Sequence, residues 1–256
     1  MLIIEGVDKL ENEFICLKPG KTNCYILKGG NGYLLIDTGY ESDYKSFLKQ
    51  LKDYHIGLDE IKYLLLTHHH DDHVGFANKL LDDTDLKIIS YKYSKKLLKE
   101  GKNDKSRGGG IINKRMYFVF KFGQWFIPNL FGLTFPTISL RNKDILLNGD
   151  NLSILREIGI EGDILYTPGH SIDSISVLLD DGSIFCGDMA ANFPDWLGTR
   201  FNPPFLTDVK KNYQSWEKII NTKAKTVYPS HGKDFNIERL KDNLDEFKNE
   251  DLIGFF

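Results

Sequence analysis

Six consecutive residues, His68, His69, His70, Asp71, Asp72 and His73, concentrate chemistry that nothing else in the chain matches, and they hold four of its seven histidines. Four imidazoles and two carboxylates crowded together are costly to hold unless a cation neutralises and orients them, so the first expectation is a metal site. A solvated histidine-rich loop is the alternative. The mainly apolar run 61–66 before the cluster, and Gly75 just after it, favour a fixed turn instead.

Strand geometry narrows this further. If residues 61–66 form a strand, His68 and His70 leave it on the same side, because side chains two apart share a face. They could grip one ion. Asp72 and His73 follow where the chain turns into a helix expected over 72–81, within reach of a second ion. His69 and Asp71, on the opposite parity, are expected to point away.

Three later strings also set a histidine or aspartate beside a glycine: Thr167-Pro168-Gly169-His170, Cys186-Gly187-Asp188 and Pro229-Ser230-His231-Gly232. With Leu35-Ile36-Asp37-Thr38-Gly39 upstream and the His68-x-His70-x-Asp72-His73 string, their content and order resemble the metallo-β-lactamase superfamily. The resemblance implies that His68, His70 and His170 hold one divalent ion, that Asp72, His73 and His231 hold a second, and that Asp188 bridges the two. It also implies that Asp37 stands behind a liganding histidine and orients it; the alternative is a turn or cap aspartate.

The chemistry implied is hydrolysis. Imidazole and carboxylate without thiolate suit zinc, with iron and manganese also admissible. Two ions sharing a water lower its pKa, position it for attack and stabilise the charge on the oxygen attacked. Asp72 and Asp188 are the expected catalytic residues. True β-lactamases of this fold carry Cys or Ser near the place of Asp188, which argues against that activity. An ester, lactone or thioester with an apolar part is the expected small-molecule substrate. The alternatives are a phosphodiesterase of the same superfamily or an iron-dependent oxidoreductase such as a sulfur dioxygenase. Cys186, two residues before Asp188, reads as a buried strand residue.

The resemblance implies an α+β fold, a four-layer αββα sandwich of two mainly antiparallel sheets with helices outside. Short β-rich runs at 2–6, 14–17, 23–28 and 33–37, with Gly29-Gly30-Asn31-Gly32 between the last two, suggest an antiparallel meander. Helices are expected over 44–54, 94–100, 209–220 and 237–247, from apolar residues at helical spacing. Strands are expected at 86–93, 145–147, 152–157, 163–166, 175–179, 183–186 and 225–228, with Asp180-Asp181-Gly182 turning a hairpin.

Residues 102–143 change character, opening polar and glycine-rich and then carrying eight aromatic residues between Tyr117 and Phe135. We read one domain over 1–256 with this stretch as an insertion, either core and dimer interface or an apolar wall beside the metals. Tyr166, Asn192, Trp196 and Arg200 are further candidates to line a pocket. His55 is expected at a helix end.

Composition limits the partners. A formal charge of −3 gives no case for nucleic acid or an anionic membrane as the main partner of the whole chain. Three widely spaced cysteines without a CxxC fit a reducing cytoplasm. Neither a signal peptide nor a membrane-spanning run is expected. The sequence leaves the oligomeric state open, a homodimer included.

Overall fold

The computed structural model describes residues 14–104, 108–126, 134–244 and 252–254. The strand expected at 2–6, Phe131 of the aromatic stretch and residues 245–247 of the helix expected over 237–247 lie outside the described residues.

β1 (Phe14–Leu17), β2 (Cys24–Gly29) and β3 (Gly32–Ile36) form the expected antiparallel meander. α1 (Tyr44–Asp53) leads to β4 (Ile61–Leu65), and α2 (Asp71–Val74) and α3 (Ala77–Asp83) lead on to β5 (Lys87–Tyr91). Then come α4 (Ser94–Glu100), β6 (Gly110–Ile111), α5 (Lys114–Phe126) and β7 (Ile145–Leu147). The second half contributes α6 (Ile154–Glu157), β8 (Gly162–Tyr166), β9 (Ile175–Leu179), β10 (Ser183–Phe185) and β11 (Phe205–Leu206). α7 (Val209–Ile220), β12 (Thr226–Tyr228), β13 (Phe235–Asn236) and α8 (Glu238–Asn243) follow.

The strands pair into a six-stranded sheet, β1-β2-β3-β4-β5-β7, and a five-stranded sheet, β13-β12-β10-β9-β8. Both sheets are mixed. From β3 to β7 the first sheet is parallel, because a helix intervenes at each crossover. In the second sheet only β10 and β12 run parallel.

Strand alternation builds the layers. On β2, Tyr25 and Leu27 face the second sheet, where they meet Ile175, Val177 and Phe185. Cys24 and Ile26 face the other way, onto Phe47 and Leu51 of α1 and Leu80 of α3. Leu165 of β8, Ile184 of β10 and Cys186 just past β10 turn from the inter-sheet core toward Tyr213, Trp216 and Leu240 of α7 and α8. Three cores thus separate four layers, helix, sheet, sheet and helix, as expected. Each fully buried Leu, Ile or Phe contributes about 1.5–3 kcal/mol to this arrangement.

Two elements differ from the sequence reading. Residues 152–157, expected as a strand, contain the helical turn α6. Asn151 Oδ1 accepts the N–H groups of Ser153 and Ile154 and starts it, while Leu155 is buried and Leu152 stays 62% exposed. The single helix expected over 72–81 is two helices. The carbonyl of His73 accepts the N–H and the hydroxyl of Thr38, at 2.8 and 2.9 Å, instead of continuing the helix. Among the described residues, no helix is long and apolar enough to cross a membrane.

Candidate metal centre

β8 and β10 each run antiparallel to β9, and β12 runs parallel to β10, so β8, β10 and β12 end at one edge of their sheet. His170, Asp188 and His231 lie in the segments just past those ends. In the first sheet, parallel β3 and β4 end beside one another, at Asp37 and at the histidine cluster. Hydrogen bonds join the two edges: Ile175 N–H to Thr67 O at 2.9 Å, and Asn23 N–H to Ser230 O at 2.8 Å.

This convergence gathers all seven residues expected as ligands. Donor atoms of His68, His70 and His170 lie within 4.8 Å of one another, as do those of Asp72, His73 and His231 and those of His68, His73 and Asp188. His170 Nε2 stands 3.2 Å from His68 Nε2 and 2.9 Å from His70 Nδ1. Nitrogens bound tetrahedrally at roughly 2.0–2.1 Å to one zinc ion would lie about 3.3 Å apart, so this spacing fits a common ion. In the second group His231 Nε2 lies 3.1 Å from Asp72 Oδ2, and His73 Nε2 lies 3.6 Å from Asp72 Oδ1. Asp188 stands between the groups. Its Oδ2 is 3.6 Å from His170 Nε2, and its Oδ1 is 3.5 and 3.6 Å from His73 Nε2 and His231 Nε2.

His73 Nε2 and Asp188 Oδ1 are buried, and neither has a hydrogen-bond partner among the described residues. A buried polar atom left so is expensive unless something else engages it, and a cation would engage both. The seven side chains therefore fit a pair of divalent ions.

Electrostatics divides the cluster in the same way. Burial, and then the neighbouring imidazoles, push the pKa values of His68 and His70 well below the usual histidine value; burial likewise lowers that of His170. Neutral imidazole is the form that binds a metal. At His73 and His231 burial pulls downward, but the carboxylates beside them prevail and raise both pKa values: Asp72, Asp188 and Asp37 act on His73, and Asp188 and Asp72 on His231. The same contacts overcome burial at Asp72 and Asp188 and hold both carboxyls below their usual range. The second group thus pairs its histidines with carboxylates, and its Asp72 and His231 are the part-exposed members, with side chains 16% and 15% accessible.

Each orienting contact fixes a ring. The Phe205 carbonyl can only accept, so His170 Nδ1 carries the proton at 2.9 Å and turns the Nε2 lone pair to the cluster. Asp37 Oδ2 does the same for His73 Nδ1 at 2.8 Å. Asp37 also accepts the N–H and hydroxyl of Thr67, at 2.7 and 2.6 Å, and takes a positive φ of 59° to reach them. It is the orienting residue that the sequence suggested, not a helix cap.

Sequence reasoning missed Asn23, whose Nδ2 donates to the carbonyls of Pro229 and Gly232, both at 2.9 Å, and so clamps the segment carrying His231. A lone asparagine more than two hundred positions away gives no sequence signal. It also missed Asp173, the buried partner of His69 at 2.8 Å. His69 and Asp71 do point away from the cluster, and Asp71 is held by Asn103.

The remaining candidates have structural places. Tyr166 stacks on Tyr91 with ring centroids 4.1 Å apart and donates to the Ile172 carbonyl. Trp196 is 67% exposed, and Asn192 N–H donates to the His231 carbonyl. Arg200 is exposed and takes a positive φ of 49°. Phe193, which the sequence did not single out, stacks over His231 with centroids 6.2 Å apart. Cys186 is buried in the outer core of the second sheet, as expected. His55, with φ 54°, ends α1. In the aromatic stretch, Met116, Phe120 and Phe135 pack into the cores, whereas Phe118, Phe122 and Trp125 face solvent. A cavity of about 450 Å³ lies on the His170 loop, lined by Pro168, Gly169, Ser171, Thr207 and Lys211, none of which belongs to the ligand groups.

The sequence profile described as the metallo-beta-lactamase superfamily matches residues 17–231. The chain is 27% identical over 216 residues to a beta-lactamase-like protein 2 homolog of Drosophila melanogaster, covering 82% of this chain and 58% of that protein. It is 26% identical over 238 residues to a thioesterase of Emericella nidulans, covering 90% of this chain and 53% of that protein. The chain therefore spans little more than half the length of these relatives. The crystal structure of an archaeal metallo-beta-lactamase superfamily protein from Sulfolobus tokodaii matches with a TM-score of 0.63 at 21% identity, covering 95% of this chain and 89% of that one.

Proposed function

The chain belongs to the metallo-beta-lactamase superfamily, and from that premise we propose that it is a binuclear metal-dependent hydrolase of ester-type bonds, with thioesters the preferred class. The observation that carries this reading is Asp188, whose two oxygens lie 3.5–3.6 Å from histidines of both groups. A carboxylate so placed is within reach of both groups and would serve an ion in each.

In this reading His68, His70 and His170 would hold one ion, Asp72, His73 and His231 would hold the other, and Asp188 would serve both. Bound there, two divalent ions would make a water nucleophilic near neutral pH and stabilise charge on the oxygen attacked. Zinc suits the donors best, with iron or manganese as alternatives. The side chains do the rest. Asp37, Thr67 and the Phe205 carbonyl keep the imidazole lone pairs aimed inward. Phe193 and the part-exposed Asp72 and His231 form the side from which substrate approaches.

Proton supply favours the thioester. Asp72 and Asp188, held ionised, carry no proton to hand to a leaving group. Leaving groups that depart as anions near neutral pH are therefore preferred, a thiolate (thiol pKa of about 8.5) well before an alkoxide. The thioesterase relative supports the same class.

The test is a panel of thioesters, esters, lactones and phosphodiesters, assayed with the wild type, Asp72→Asn and Asp188→Asn. Thioesters are expected to be turned over fastest, with each variant slower by roughly 10²–10³-fold. Elemental analysis is expected to find two ions per chain, and chelation followed by metal return to abolish and restore activity. Full turnover in both variants would overturn the reading.

A further inference from the structure

Apolar residues lie on both the inner and the outer side of α5, beside Lys114, Arg115 and Lys121. Its inner side, Met116 with the half-buried Tyr117 and Phe120, packs on the core formed with α7 and the second sheet. Large apolar side chains on a helix are ordinarily turned to a core. Here Phe118, Phe122 and Trp125 remain 68%, 62% and 76% exposed. Spaced at i, i+4 and i+7, they form one stripe, with Val119 beside it at 41%. The rings of Phe122 and Trp125 meet edge to face, centroids 6.2 Å apart.

Charge sets the same region apart. Residues 105–143 contain seven Lys or Arg and no Asp or Glu, in a chain whose net charge is −3. On α5 itself the exposed Lys114, Arg115 and Lys121 flank the aromatic stripe.

An exposed patch of this kind marks an interaction surface. A second copy of the chain would bring the same basic flank against itself, because a two-fold interface is self-complementary, and like charges would oppose it. An anionic lipid surface satisfies both features. Basic side chains engage the headgroups while the aromatic rings enter the boundary with the acyl chains. We propose that α5 docks this protein on an anionic membrane surface, lying in the interface without crossing it.

The docking helix is tied to the rim of the metal centre. Asn113 Nδ2 donates to the carbonyls of Leu197 and Gly198, at 3.1 and 3.0 Å, and Arg115 Nη1 donates to that of Trp196 at 3.0 Å. That loop begins beside Phe193, the ring stacked over His231. Docking would hold this rim close to the lipid headgroups.

The experiment is co-sedimentation of the full chain, with its metals as purified, on vesicles of phosphatidylcholine alone or mixed with phosphatidylglycerol. Binding is expected to the mixed vesicles at low salt, to weaken as salt rises, and to be slight on phosphatidylcholine. Phe118→Ser/Phe122→Ser/Trp125→Ser is expected to lower it by about tenfold or more, with circular dichroism and turnover of a soluble substrate unchanged. Lys114→Gln/Lys121→Gln, which leaves every ring in place, is expected to lose the preference for phosphatidylglycerol, and it serves if the triple variant misfolds. No binding to anionic vesicles, or equal binding by both variants, would overturn the proposal. So would a wild-type dimer in sedimentation that the triple variant dissociates, since that assigns the face to a second copy. None of these outcomes depends on which bond the metal centre cleaves.

Discussion

His69 Nδ1 lies 2.8 Å from Asp173 Oδ1, while Nε2 of the same ring accepts the N–H of Asp104 at 3.0 Å. Acceptance at Nε2 places the ring proton on Nδ1, where it is donated to the buried carboxylate. Both nitrogens are thereby used, although His69 stands between two residues of the metal cluster. The ring fastens that cluster to the segment after His170 and to the start of the aromatic stretch. His69→Ala is expected to cost about 1–3 kcal/mol by leaving a buried acceptor and donor unpaired, with metal content unchanged. His68→Ala is expected to lose metal. Denaturant unfolding and elemental analysis of the two variants check this, and an ion lost from His69→Ala would refute the assignment.

Asp37 touches the cluster through His73, at 2.8 Å. Replacing it with Asn keeps the shape, and Asn tolerates the positive φ of 59° observed there. The amide cannot serve all the donors that converge on the carboxylate, so His73 loses part of its orientation and basicity. Asp37→Asn is expected to weaken metal binding by roughly 10–100-fold. Titration against a competing chelator measures it. An unchanged affinity would make Asp37 a folding residue alone.

Legibility followed locality. His68, His70, Asp72 and His73 were readable because a strand and a turn present them within six positions, and the other three candidates because each sits beside a glycine in a distinct string. The hairpin at Asp180-Asp181-Gly182 and helix α7 were readable for the same reason. Asn23 and Asp173 were not, since each acts through hydrogen bonds to a remote segment. The misread strand at 152–157 turned on a cap, Asn151, that outweighed the β-like run after it. The early end of α2 came from Thr38 capturing the His73 carbonyl, a contact between segments thirty-five positions apart. The aromatic stretch was ambiguous because α5 is apolar on both sides, and only burial separates them.

Gly169 precedes His170 with φ 143°, and a Cβ there would lie 2.3 Å from the backbone of Asn212 in α7. Gly149 also has a positive φ, 120°, but a Cβ there meets nothing within 4 Å. Both Ala variants share the backbone strain, so their difference isolates the collision. Gly169→Ala is expected to be less stable than Gly149→Ala by roughly 2 kcal/mol or more and to weaken metal binding by displacing His170. Thermal unfolding of the two proteins decides; equal losses would mean that α7 gives way at no cost.

Asp144 supplies the pH test away from the metals. Its side chain is 1% exposed and accepts the N–H groups of Ile88 and Arg141, at 2.9 and 2.6 Å, and the Arg141 guanidinium at 2.9 Å. Burial alone would raise its pKa, but these donors prevail and hold it below the usual carboxylate range. The folded state therefore takes up this proton less readily than the unfolded chain. The resulting stability is fully present above the unfolded value of about 3.9 and fades as pH falls through the lowered folded value. Asp144→Asn is expected to cost about 1–3 kcal/mol at neutral pH. Its deficit relative to the wild type should shrink below about pH 4, where the wild-type carboxyl is also protonated. Urea unfolding of both proteins across that range measures the difference, and a deficit that stays constant with pH would place the effect in shape and not in charge.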